Sequence, residues 1–299
     1  MSGSEAAGRL RFRLALREPF DGAAVLSFLR SRAIPGVEVV TTEFYARVLR
    51  LPHSTGVAVL RPGSDCVACT LEVPDSRDVG VAVQRCRALM DLDADPCAVD
   101  SVLRAEPRIA PLIRRSPGLR MPGHVDGFEL SVRAVIGQQV SVAGASTTAG
   151  RIAAAYGEPV QHELATQYGL THAFCTPAAL APADPASLGM PRQRGGAVTG
   201  LAAAVEAGDF SLDRGADAEG LRRGLQSIHG IGEWTAGYVA MRAAGDPDVF
   251  LNTDLVVRRQ LAELECGKQQ IERWRPWRSY AVMHLWNRAA SRGRRWPAA

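Results

Sequence analysis

The side chains best suited to catalysis and to anion binding fall in two neighbouring segments. They are Leu225-Gln226-Ser227-Ile228-His229-Gly230-Ile231-Gly232-Glu233-Trp234-Thr235-Ala236-Gly237-Tyr238, and then Asp254, twenty positions after Trp234. A helix that stops before Gly230-Ile231-Gly232 and restarts at Glu233 makes a very tight helix-turn-helix. Two glycines with one residue between them let the backbone approach another surface without a Cβ in the way. The amides at the start of the second helix then face outward, positively polarised, with Thr235 beside them. Such a turn holds an anion, and on a repeating phosphate polymer it grips without reading sequence. The same letters also read as a glycine cap followed by a fresh helix start.

Asp254 ends the run Asp246-Pro247-Asp248-Val249-Phe250-Leu251-Asn252-Thr253-Asp254. Pro247 marks a turn, Val249 to Leu251 reads as extended, and Asp254 stands where the next helix should begin. The position suits two roles, an N-cap worth about 1 kcal/mol or a catalytic carboxylate. Trp234 and Tyr238, four apart, share one helix face, which fits core packing or an aromatic slot. Trp277 and Trp286 are nine apart, about 180° around a helix, and cannot both face one pocket.

Other chemistries find little support. Cys66 and Cys69 form a CxxC, but the segment Cys66 to Val73 reads as a strand, where residues three apart point to opposite faces and cannot chelate one ion. Cys86, Cys97, Cys175 and Cys266 are scattered, and the six histidines lack HExxH-type spacing. Lys268 is the only lysine, so it is the only side-chain amine able to form a Schiff base. Nearly all the basic charge is therefore arginine, whose forked guanidinium suits phosphate. The net charge of +4 permits an anionic partner without arguing for one.

A chain of 299 residues, 46% hydrophobic and 22% charged, has room for two or three domains and is not disordered, collagenous or coiled coil. No stretch reaches the roughly 20 uncharged apolar residues of a membrane span, and Met1 to Arg9 lacks the apolar core of a secretion signal. A soluble, cytoplasmic protein is expected.

Periodicity and cap signals give the surrounding secondary structure. Arg9 to Leu16 alternates as a strand with one buried face, and Asp21 starts a helix to about Arg32. Short strands follow at Glu43 to Leu51, Thr55 to Arg61 and Cys66 to Val73, then a helix from about Ser76 to Leu92. Residues 1–90 thus read as a small antiparallel α+β domain. Asp126 with Glu129 looks like a capping box for a helical stretch interrupted at Gly137-Gln138-Gln139, with Ser141 capping a second helix to about Tyr156. From Glu158 to Pro191 the chain is loop-rich, with short helices near Pro177 and Pro185. Helices resume from Pro191 to Glu206, then over Ala218 to Gln226, Glu233 to Ala243, Asp254 to Leu264 and Pro276 to Ala290. The fold class is α+β, a small sheet domain followed by an all-helical body.

At this point the residues carry a resemblance. Ile228 to Gly232, Trp234-Thr235-Ala236 and the aspartate that follows resemble the helix-hairpin-helix DNA glycosylases. Pro122-Gly123-His124-Val125-Asp126, Val135 to Ser141, Leu188-Gly189-Met190-Pro191 and Arg275 to Ala281 are similar to the 3-methyladenine DNA glycosylase II (AlkA-type) family. The likeness runs from about Phe12 to Trp286.

The resemblance implies a helical body split by a cleft, with residues 91–123 and 245–299 forming one subdomain and 124–244, which holds the hairpin at about 218–243, the other. It implies a monofunctional glycosylase that hydrolyses the N-glycosidic bond of alkylated bases in duplex DNA and leaves an abasic site in base excision repair. Asp254 would be the catalytic carboxylate, and Trp234, Tyr238 and Trp286 would line the pocket for a flipped base. Gly230, Gly232 and Thr235 would meet DNA phosphate, with the carbonyls of Gln226, Ile228 and Ile231 around a structural Na+ or K+. Gln139 falls where the family places a wedge that fills the vacated stack. His229 replaces the usual hairpin proline, Leu255 a tyrosine and Gln139 a leucine. Relatives that also cut the strand use a lysine at the position of Trp234. No other cofactor and a bacterial monomer on double-stranded DNA are expected, and in some bacteria such a domain follows an alkylation-response regulator. The alternatives are a non-catalytic damage-binding or regulatory module, and a glycosylase for oxidised or deaminated bases.

Overall fold

A computed structural model describes residues 8–292. The expectation for the first seven residues, and the part of the 245–299 subdomain beyond 292, lie outside the described residues. No helix among those described is long and apolar enough to cross a membrane.

Runs of β-branched and apolar residues broken by Pro-His-Ser and Pro-Gly-Ser-Asp turns build β1 (Arg9–Ala15), β2 (Glu38–Val40), β3 (Tyr45–Arg50), β4 (Thr55–Pro62) and β5 (Cys66–Glu72), with α1 (Gly22–Arg30) between the first two strands. They pair antiparallel in the order β1-β5-β4-β3-β2. In this register Tyr45 faces Leu60 and Val59 faces Thr70. Asp21 starts α1 as expected, its carboxylate accepting the Ala24 N–H at 2.9 Å. α2 (Val79–Met90) follows the sheet.

Three points differ from the patterning. β2, only three residues long, was not expected and forms one edge. β1 forms the other edge, and its alternation buries only Leu14 fully while Leu10 stays exposed. The inner strands are covered on both faces. Tyr45, Leu49, Ala58, Leu60, Cys69 and Leu71 join the main core, while Ala46, Val48, Val57 and Val59 pack on Leu164, Leu170 and Ala173. Two-sided burial explains the unbroken apolar stretch Val57 to Leu60 in β4, whereas in β3 the run is interrupted by Arg47, which is buried in an ion pair.

The rest of the described chain is helical: α3 (Pro96–Arg104), α4 (Ala110–Arg115), α5 (Gly127–Ile136), α6 (Val142–Tyr156), α7 (Glu163–Tyr168), α8 (Pro177–Leu180), α9 (Arg192–Ala207), α10 (Ala218–Gln226), α11 (Glu233–Val239), α12 (Leu255–Glu263), α13 (Lys268–Glu272) and α14 (Arg278–Ser291). A π turn, Ala240–Ala244, extends α11. α3, α4, α7 and α13 go beyond the expected helices.

The capping box at Asp126 is half realised. Asp126 accepts the N–H groups of Phe128 and Glu129 at 2.9 and 3.1 Å, but Glu129 does not reach back. Its carboxylate instead meets Arg47 of β3 at 2.6 Å and Arg133 of α5 at 3.0 Å. Arg133 continues to Glu38, and Glu38 accepts the Tyr45 hydroxyl at 2.7 Å. This buried network joins the sheet to the first helix of the body. Burial pushes the Glu38 carboxyl up, but Arg133 and Arg47 outweigh it and hold Glu38 below the usual carboxylate range.

Removing one member of such a network strands a buried charge, at a cost of about 3–5 kcal/mol. Arg47→Ala is therefore expected to lower unfolding stability by about that amount in urea denaturation. Replacing Arg47 and Glu129 together with apolar residues of similar size should cost less.

Candidate active site

The expected hairpin forms from α10 and α11. α10 starts at Asp217, whose side chain accepts the Glu219 N–H at 3.1 Å, and ends at Ser227. The turn closes with the Ile231 N–H on the Ile228 carbonyl at 3.0 Å. Gly230 has φ +92, which a side chain would strain, and an added Cβ would lie 3.0 Å from Cβ of Ala197 on α9. Gly232 differs: a Cβ there would meet nothing within 4 Å, so its backbone borders open space. The first N–H groups of α11 begin at this residue, and first-turn amides have no partner inside their own helix. His229, in place of the usual proline, is exposed and contacts Gln193 of α9 at 3.4 Å.

Asp254 is only 4% exposed, yet it lines a cavity of about 590 Å³. It caps α12, with Oδ1 accepting the Val257 N–H at 2.8 Å. The indole N–H of Trp234 donates to Oδ2 at 2.9 Å, and that of Trp286 to Oδ1 at 3.4 Å. The N-cap role is thus realised, and the two tryptophans fix the same carboxylate at the cavity wall.

The cavity has three walls. Gly137 to Val140 come from the turn between α5 and α6, Gly230, Gly232, Trp234 and Thr235 from the hairpin, and Thr253 to Val256 from the start of α12. Gln139 is exposed on the first wall with φ +57, a left-handed conformation costly for an L-residue. Leu255 projects from the third wall, 75% exposed. A larger cleft of about 810 Å³ beside Arg50, Arg85 and Arg214 shares none of these residues.

Of the three aromatic residues expected at the pocket, Trp234 lines the cavity, half-buried. Tyr238 and Trp286 are fully buried behind it. Tyr238 stacks on Trp234 with centroids 5.3 Å apart and planes 15° from parallel, and Trp286 is tilted against Tyr238 at 6.2 Å. Trp277 packs edge-on against Tyr280, apart from this stack.

Behind the stack lies positive charge that the sequence reading missed. Arg242, on the π turn, donates to the Tyr238 hydroxyl oxygen at 2.6 Å and to the carbonyls of Pro122 and Gly123 at 2.7 Å each. Burial pushes the Tyr238 phenol up, but Arg242 and Arg32 beside it prevail and hold it below its ordinary value. The i, i+4 spacing of Tyr238 and Arg242 was the only available signal.

Thr235 and Gln138 also differ from expectation. Thr235 was expected beside the phosphate-binding amides, but it is buried and its hydroxyl accepts from the Gln138 side chain at 2.9 Å. Gln138 had no assigned role, and nothing in the sequence marks a glutamine that bonds across more than ninety residues. Among the described residues no group of three or more His, Cys, Asp or Glu side chains is placed to hold a metal.

Comparison with known proteins agrees with this architecture. The profile of the AlkA N-terminal domain matches residues 11–126. The chain is 36% identical to DNA-3-methyladenine glycosylase 2 of Escherichia coli, over 92% of this chain and 96% of that protein. It is 41% identical to a probable bifunctional transcriptional activator/DNA repair enzyme AlkA of Mycobacterium tuberculosis, over 99% of this chain, and spans about 60% of that relative's length. Its fold matches a 3-methyladenine DNA-glycosylase from Archaeoglobus fulgidus with a TM-score of 0.79 at 22% identity, covering 92% of this chain and 97% of that one.

The left-handed Gln139 yields a separation of fold from surface. Gln139→Gly removes the side chain and relieves the backbone, so thermal unfolding should be unchanged or stabilised by up to about 1 kcal/mol. A marked loss of stability would show that the Gln139 side chain holds the turn.

Proposed function

The chain belongs to the AlkA-type DNA-3-methyladenine glycosylase 2 family, and from that premise we propose that it excises alkylated bases from duplex DNA by hydrolysing the N-glycosidic bond. The observation that carries this reading is a carboxylate fixed by two indole N–H groups at the wall of a cavity that also touches the hairpin. The hairpin amides and Gly232 hold a DNA phosphate, Gln139 fills the gap left by a flipped nucleotide, and the base enters against Trp234. Tyr238 and Trp286 back that surface.

Breaking a purine's bond to deoxyribose builds positive charge on the sugar. A carboxylate about 4 Å away gains roughly 4 kcal/mol at an effective dielectric of about 20, about a thousandfold in rate. That is too little for an intact base. Alkylation at N3 or N7 makes the base cationic, so it leaves without a strong general acid, and Asp254 is then enough. An electron-poor base against Trp234 gains about 0.5–2 kcal/mol from the ring, while Arg242 behind the stack opposes it. Selection by the pocket is therefore modest, and the substrate range is broad.

The carbonyls of Gln226, Ile228 and Ile231 are the donors for a structural Na+ or K+. Neutral, hard carbonyl oxygens suit such an ion, and the Ile228 carbonyl keeps a lone pair after accepting the Ile231 N–H. The cation would tighten the turn; the reaction needs no other cofactor. The protein acts as a monomer on double-stranded DNA.

Asparagine is as good an N-cap as aspartate, so Asp254→Asn keeps the start of α12 while removing the charge. Release of free base from methylated duplex should fall about a thousandfold with DNA binding retained. Equal release by the variant would reject the assignment of Asp254. The only side-chain amine, Lys268, is exposed and is not among the cavity residues. Borohydride treatment during turnover should therefore trap no protein-DNA adduct, and an adduct mapped to Lys268 would establish strand-cutting chemistry.

A further inference from the structure

Gln138 sits half-buried in the turn between α5 and α6, immediately before Gln139. Its side-chain nitrogen donates to the Gly230 carbonyl at 3.0 Å and to Thr235 Oγ1 at 2.9 Å. Gly230 is the positive-φ residue of the hairpin turn, and Thr235 belongs to the first turn of α11. One primary amide thus ties the turn that carries Gln139 to both the bend and the second arm of the hairpin. On its own side the residue is anchored to α5, with the Gln138 N–H on the Val135 carbonyl at 3.2 Å.

We propose that Gln138 is a positioning residue that couples the hairpin's grip on phosphate to the placement of Gln139 in the duplex. The inference rests on the glycosylase reading above. The hairpin and the wedge come from segments 92 residues apart, and each could bind DNA without fixing the other. With the amide bridge they form one template, so a phosphate seated on the hairpin sets where Gln139 stands relative to the flipped nucleotide. The bridge requires two N–H donors at the reach of a glutamine. Methionine matches the length and has no donor; glutamate turns a carboxylate toward the Gly230 carbonyl, an acceptor facing an acceptor.

Gln138 borders the cavity, but its side-chain nitrogen is spent on the Gly230 carbonyl and Thr235 Oγ1, so its loss should appear chiefly where a stacked duplex must be opened. Single-turnover release of methylated base is measured from a duplex and from the same strand unpaired, for the wild type, Gln138→Met and Gln138→Glu, with thermal midpoints recorded. Both variants are expected to lose roughly 10- to 100-fold on the duplex, the scale of a misplaced reacting geometry, while their single-strand rates stay near that of the wild type. A Gln138→Met protein that keeps the wild-type duplex rate overturns the proposal. So does one whose duplex and single-strand rates fall in parallel, because that is what a general structural role would do. A wild-type protein that releases base from neither substrate overturns the glycosylase reading itself, and the proposal with it.

Discussion

The bond from the Trp234 indole to the Asp254 carboxylate is the contact on which the site depends. It joins the first turn of α11 to the N-terminus of α12, so the hairpin and the acid cannot shift independently. Asp254 lies almost out of solvent, where an unpaired carboxylate is costly. Its three N–H partners, from Trp234, Trp286 and the Val257 backbone, offset that cost, and no described residue forms an ion pair with it. The choice of partner matters chemically. Neutral donors leave the net charge in place, whereas an arginine would cancel much of the carboxylate's field.

The same separation of charge from site runs through the molecule. Strong ion pairs lie away from the cavity, in the Arg47–Glu129–Arg133–Glu38 network that fastens the sheet to α5. α5 ends at Ile136, and the next residues form the wall that carries Gln138 and Gln139. The sheet domain contributes no residue to the cavity; it bears on it through α5, which fixes the base of the turn carrying Gln138 and Gln139, and through Arg32, which lies beside Tyr238.

Much of this was legible in the sequence because the signals were local. The Gly230-Ile231-Gly232 hairpin, the cap at Asp254, the break at Gly137-Gln138-Gln139 and the limits of α10 follow from glycine, cap and periodicity rules that act within a few residues. α3 was missed although its signal is local: Asp95 before Pro96 is a cap followed by a first-turn proline, and the Asp95 carboxylate accepts the Ala98 N–H. What escaped depends on distant partners. Glu129 looked like half of a capping box, but a buried arginine from the sheet outcompetes a local amide. Tyr238 and Trp286 looked like pocket walls, because the pattern of a helix face cannot distinguish a residue at a surface from one directly beneath it. α7 could not be read at all: His162 provides no side-chain cap, and the Glu163 and Leu164 N–H groups are instead received by Glu72 of β5 at 3.1 and 2.7 Å.

That distant acceptor has a consequence for biosynthesis. The carboxylate that starts α7 leaves the ribosome 91 residues before Glu163, roughly 5 to 20 s earlier at ordinary elongation speeds. During that interval the β3 and β4 side chains that later pack on Leu164 and Leu170 have no cover. The face of the sheet formed by Ala46, Val48, Val57 and Val59 is therefore complete only once the middle of the chain has been synthesised.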